Sequence, residues 1–442
     1  MYTGVINNTE KPVMFTVDQE DFLFHFMTDS VYEIGNSLQE VLLPSKDGFL
    51  FGRTHENHTI AIYIGDLNLS VYTTHKLNTG LFILSTGNIL CRDFENYTGI
   101  SFVGGTLNQI FRADRLKFDP VSLEAIIKDD VQSYEIMVNN EQIKITIESN
   151  ISITQKSAGE SVNNTDVTLT LLFDTPRKLT DIFEYYNVIK KTLSFMCFRK
   201  NIGFDKIQLI KNSNEYPGIN ESVGDVFMKD EKDIAIKAWQ TNICVNDLND
   251  CFPKLIQLFF EDDPKTKTPI LGFLPDNDND LLRMYPNKVK DICSSLEAEY
   301  NYTYKDSNAS DQLLRDLQKD VFKTISSFKK EHPEFPDSSY NLIHSSVSNW
   351  SLSLRDRILF LYSKYAEEIA LVNDSDVMID EDSIHEMVKY RNAVTHNGFA
   401  VLSSPVTETA FYIQSIIYFS VLERIGLSRE TIKELCPHRL LR

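Results

Sequence analysis

The hydrophobic period changes part-way along this chain, and that change restricts the possible folds more than any other feature. Up to about residue 173 the apolar residues fall in short runs rich in β-branched and aromatic side chains. Val13–Val17, Phe22–Met27, Thr59–Ile64, Leu67–Tyr72, Leu81–Leu84, Ile143–Ile147 and Val167–Phe173 are such runs, and turn formers such as Asn78–Thr79–Gly80 separate them. Seven or more short strands predict an antiparallel sandwich or an open barrel. At Lys178 the period becomes helical: Leu179, Ile182, Phe183, Tyr186, Ile189, Leu193 and Met196 predict a helix to about Phe198. Strands over Lys206–Ile210 and Asp233–Trp239 and a helix over Leu248–Phe260 are expected next.

A short polar link, Tyr304–Ser310, precedes a wholly helical remainder. Leu314, Leu317, Val321, Ile325 and Phe328 line one helix face; Leu354, Ile358, Tyr362, Tyr365 and Ile369 line another. Val406–Ile425 is apolar on most sides and is expected at the centre, and Ser428–Cys436 closes the chain. The expected class is α+β multidomain. Residues 1–300 form a β-rich module, sandwich or open barrel with added helices, and residues 301–442 form an antiparallel all-α bundle.

One helix of that bundle carries a concentration of chemistry. Asp380, Glu381, Asp382 and Ser383 make an acidic, capping start, and Asn397–Gly398 suits a helix end. Ile384, Met387, Val388 and Arg391 share a face, so Arg391 continues an apolar stripe where a charge needs a partner. His396 follows five residues later. The Arg-x4-His spacing alone is unspecific: with 9 His and about 15 Arg, chance supplies it with probability of roughly 0.3. Arg53 and His58 repeat it in a polar link between two strand-like runs, a coincidental match. The setting of the second copy, at the end of a buried helix, sets it apart. His385, on the same helix, is expected to face solvent.

In this setting Tyr390–Arg391–Asn392–Ala393–Val394–Thr395–His396–Asn397–Gly398 resembles the R-x4-6-H signature of HEPN ribonuclease domains, including the polar Asn392 after the arginine. The layout is similar to that of ApeA-type abortive-infection proteins of bacteria, in which a β-rich domain precedes the HEPN domain. The resemblance implies an endoribonuclease of antiviral defence acting on tRNA or another cellular RNA. It implies a homodimer through the helical domain and a phage-derived trigger on the N-terminal module.

The chemistry asked of these residues is consistent with their types. RNA carries its own nucleophile, so a base that deprotonates the 2′-hydroxyl suffices and no metal or cofactor is needed. Histidine titrates near neutrality, and a guanidinium can meet two phosphoryl oxygens. By this reading His396 is general base or acid, Arg391 binds the scissile phosphate, and Asn392 orients phosphate or imidazole. One His and one Arg are too few for every role, and two copies across a two-fold axis would supply them. A second reading stays open: Arg391 pairs with Asp356 or Glu368, His396 is a helix C-terminal cation, and the bundle is a non-catalytic dimerising scaffold.

Composition frames both readings. The net charge of −19 argues against nonspecific nucleic-acid binding. Residues 301–442 carry 16 Lys and Arg against 20 Asp and Glu, so most of that charge lies before them. Six cysteines without a C-x-x-C pair are expected as reduced, mostly buried thiols. The start lacks the pattern of a signal peptide, and no apolar run spans a bilayer, so a cytoplasmic protein is expected. Asp276–Asp280 opens like a calcium loop but has Leu281 and Asn287 where glycine and glutamate belong, and is expected to be a solvated acidic loop.

Overall fold

The computed structural model describes residues 1–6, 13–27, 47–65, 76–86, 93–111, 116–118, 125–127, 131–155, 161–213, 220–229, 243–261, 270–281, 283–304, 308–348, 350–372, 379–397 and 400–439. The expected strands Leu67–Tyr72 and Asp233–Trp239 lie outside the described residues. The chain divides into two compact units, residues 1–197, 201–238 and 243–261 in one, and residues 198–200, 239–242 and 262–442 in the other. The helical unit thus begins nearer 261 than the expected 300.

In the first unit the strands are β1 (Tyr2–Ile6), β2 (Val13–Val17), β3 (Leu23–Met27), β4 (Phe49–Thr54), β5 (Thr59–Tyr63), β6 (Lys76–Asn78), β7 (Leu81–Ser85) and β8 (Tyr97–Val103). A two-stranded ribbon, β9 (Leu116–Phe118) and β10 (Ala125–Ile127), follows. Then come β11 (Val131–Val138), β12 (Glu141–Gln155), β13 (Ser161–Arg177), β14 (Lys206–Asn212) and β15 (Asn220–Met228). Apart from the ribbon, all join one antiparallel sheet in the order β11-β12-β13-β8-β14-β15-β7-β5-β4-β1-β2-β3-β6. β8 accepts β13 on one side and β14 on the other, so the pieces before and after the long helix belong to one sheet. Its alternation has the expected cause. Phe15, Val17, Phe24, Ile60, Ile62 and Phe82 point into a shared core, with Phe15 stacked on Phe24 at 5.3 Å.

Helix α1 (Leu107–Ile110) is a single turn, and α2 (Ile182–Cys197) is the expected long helix, entered through a 3-10 turn at Leu179–Asp181. α2 lays Tyr185 on Phe173 at 4.5 Å and packs beside α4 (Phe252–Glu261), which follows the short α3 (Val245–Leu248) and a 3-10 turn at Asn249–Cys251. The single helix expected over Leu248–Phe260 is therefore broken, at Asn249, whose φ is 46°.

The second unit contains α5 (Pro286–Thr303), α6 (Ala309–Glu331), α7 (Asp337–Ser348), α8 (Leu354–Lys364), α9 (Ala366–Val372), α10 (Glu381–Asn397), α11 (Ser404–Arg424) and α12 (Arg429–Arg439). Asn308 caps α6 through Ser310 N–H, and the 354–369 segment is two helices rather than one. α11 is buried on most sides, as its composition requires, and packs against α5 and α10. The expected apolar face of α6 is not a core face. α6 packs on α7, leaving Leu317 and Phe328 53% and 48% exposed, with Leu313, Leu342 and Ile343 exposed as well. The acidic loop is also not simply solvated. Asp278 takes the guanidinium of the buried Arg199, and Asp276 pairs with Lys200 at 2.7 Å, so these carboxylates are counter-charges. Among the described residues no helix is long and apolar enough to cross a membrane.

Candidate functional site

α10 forms for the reasons legible in its sequence. Asp380 Oδ1 accepts from Ser383 N–H at 2.7 Å, closing the first turn. Ile384, Met387, Tyr390 and Val394 are buried, so the core stripe is displaced from the expected one by a fraction of a turn. That displacement puts Arg391 on the flank of the stripe, where its side chain is 26% exposed. His385 is exposed, as expected.

Arg391 meets a carboxylate, but not either of those the sequence offered. Its Nη2 donates to Glu297 Oε2 at 3.0 Å, across from α5, and its Nη1 donates to Asn392 Oδ1 at 3.2 Å. Its Nε is buried and has no hydrogen-bond partner among the described residues. The other oxygen of Glu297 lies 3.7 Å from Nη1 of Arg357 on α8, whose side chain is only 7% exposed. One carboxylate therefore stands between two guanidinium groups. Glu368 is engaged elsewhere, receiving Arg429 through two hydrogen bonds of 2.8 and 2.7 Å, and the Asp356 carboxylate accepts from the hydroxyl of Ser353, the N-cap of α8. Beneath the pair lies Cys293, whose thiol burial pushes up to about 12, the nearby Arg391 acting in the opposite direction.

His396 sits in the last turn of α10, exposed, with no hydrogen-bond or ion partner among the described residues. The helix continues through it to Asn397. Five residues at about 100° each turn through roughly 500°, so Arg391 and His396 project about 140° apart around the axis. The Arg and His of one chain are not brought together on one face. Asn392 and His396, four residues apart and both exposed, do share a face. Arg391 reaches Asn392 from the edge of that face.

The Arg53–His58 match is structural. Arg53 lies within β4, paired with Thr59 of β5, Asn57 turns the β4–β5 hairpin with φ of 74°, and His58 Nδ1 lies 3.0 Å from the carbonyl oxygen of Ser85.

Glu297 and Arg357 escaped the sequence reading. A signal existed on α5, where Ile292, Cys293, Leu296 and Tyr300 are buried and Glu297 stands four residues after Cys293, on the flank of that stripe. What it faces is a matter of packing between elements 94 residues apart. Among the described residues no cluster of three His, Cys, Asp or Glu could hold a metal ion. Compared with models of known families, with characterised proteins and with solved structures, the chain matches none.

Proposed function

We propose that this chain is an endoribonuclease of HEPN type, with the helical unit as a HEPN-like bundle, acting in anti-phage abortive infection under the control of the β-rich unit. The observation that carries this reading is the open end of α10. An exposed imidazole with no partner among the described residues shares a face with Asn392, and a half-buried guanidinium lies at its edge. His396 would take the proton from an RNA 2′-hydroxyl, whose oxygen attacks the adjacent phosphorus while the 5′-oxygen leaves with a proton from a second imidazole. Arg391 would hold the phosphoryl oxygens, and Asn392 would orient phosphate or imidazole. The 140° separation of Arg391 and His396 within one helix favours a homodimer, in which the guanidinium of one copy meets the imidazole of the other. Exposed Leu313, Leu317 and Phe328 give the helical unit apolar surface to bury in such an assembly.

The test is wild type against His396→Ala, each with matched folding, on total RNA and tRNA with chelator present. Cleavage that leaves 2′,3′-cyclic phosphate ends and vanishes in the variant supports the reading; cleavage strictly dependent on a divalent ion, or unchanged by the substitution, overturns it.

The Arg391–Glu297–Arg357 cluster favours a second reading, a non-catalytic dimerising scaffold in which Arg391 serves packing alone. In that case His396→Ala leaves every function of the protein intact.

A further inference from the structure

The first unit contains a cleft of about 980 Å³ between the turn joining β2 to β3, the loop following β8, the start of β14 and the end of β15. Its walls combine aromatic faces with fixed carboxylates. Phe204 and Tyr186 line it with rings 6.1 Å apart, and Phe22 and Phe227 extend the apolar side. Among the described residues Glu20, Asp205 and Asp225 supply three lining carboxylates and Lys206 the one lining cation, already paired with Asp225 at 3.1 Å, while the Lys190 ammonium stands over the Tyr186 ring at 5.8 Å.

Asp205 is placed by the backbone. Gly104 and Gly105 adopt φ of 67° and 57°, and Gly105 N–H donates to Asp205 Oδ2 at 2.7 Å. A Cβ on Gly104 would fall 2.0 Å from that oxygen, so only glycine lets the carboxylate sit there. Asp225 is likewise oriented, accepting from Gln208 Nε2 at 3.0 Å.

We infer that this cleft binds an arginine-bearing segment of another protein. Its excess of carboxylates repels anions and selects a cation. Aromatic faces beside carboxylates suit a planar guanidinium, which stacks on a ring and hydrogen-bonds a carboxylate in a fork, better than a compact ammonium. The volume lies at the upper end for small-molecule sites and fits several residues of extended peptide. The inference stands apart from the nuclease reading, because its test reads binding and not RNA cleavage.

The probe is a fluorescein-labelled Gly-Arg-Gly-Arg-Gly peptide, titrated by anisotropy against the full chain, with its citrulline counterpart and spermidine as controls. Saturable binding is expected for the arginine peptide, weakened about tenfold by Glu20→Gln or by Asp205→Asn. Asparagine at 205 still accepts from Gly105 N–H, and Glu20 is exposed, so both variants keep the fold; melting curves check this. Equal binding of the citrulline peptide, or indifference to both substitutions, overturns the inference. Spermidine displacing the peptide at concentrations near the peptide's own Kd overturns the assignment to a protein segment.

Discussion

Replacing Glu297 tests how much of the Arg391 site is structure and how much is held in reserve. Glu297→Ala removes the carboxylate from two guanidiniums at once, Arg391 at 3.0 Å and Arg357 at 3.7 Å. The Arg391 pair is about a quarter exposed on both sides, so its coupling is on the order of 1 kcal/mol. Arg357 is nearly buried, and without Glu297 it keeps the face of Tyr300 at 5.4 Å as compensation. Stranding a buried guanidinium costs about 2–4 kcal/mol. Glu297→Ala should therefore destabilise the helical unit by roughly 3 kcal/mol, Arg391→Ala by about 1 kcal/mol, and the double variant by little more than Glu297→Ala alone. Urea unfolding followed by circular dichroism gives all three values. If Glu297→Ala costs no more than Arg391→Ala, Arg357 does not depend on this carboxylate and the reasoning fails. Glu297→Gln adds the functional half, since it preserves shape and an acceptor but removes the charge that neutralises Arg391. Under the nuclease reading RNA binding then tightens and its salt dependence steepens. Affinity unchanged by Glu297→Gln and by Arg391→Ala alike would remove Arg391 from substrate binding.

Other expectations follow from the same structure. Arg429→Ala leaves Glu368 buried without its bidentate partner and should cost about 3–4 kcal/mol in urea unfolding, with Arg429→Lys intermediate because the fork is lost and the charge kept. Burial, with repulsion from Lys200, pulls the Lys288 ammonium down to about 8, although its Nζ donates to the carbonyls of Gly272 and Leu274. Its protonated form is penalised in the folded state only, so this penalty, at most about 3 kcal/mol, applies in full below pH 8 and fades as pH rises from about 8 to 10.5. Thermal melts should show wild type gaining on Lys288→Met across that window; parallel curves would refute it. Gly105→Ala places a Cβ 2.5 Å from the Gly203 carbonyl oxygen at a positive φ and should destabilise the first unit by about 1–3 kcal/mol, read from its melting curve.

Local chemistry determined much of this protein in advance. Strand period, turn residues and helical stripes foretold the β-rich beginning and the helical end, because side-chain direction repeats with backbone geometry whatever the partner. The same holds for α10, whose acidic cap, apolar stripe and Asn397 terminus are properties of neighbouring residues. Tertiary structure decided what no local pattern encodes. It turned the core stripe of α10 toward Tyr390 and Val394, which moved Arg391 to the flank, and it chose Glu297 on α5 over the nearer Asp356 and Glu368. It left Leu317 and Phe328 on the apolar face of α6 exposed and set Asp278 against the buried Arg199. Each of these depends on which distant surface arrives opposite a residue. A charge buried by that arrival needs a counter-charge in reach, and distance along the chain does not say which one will be there.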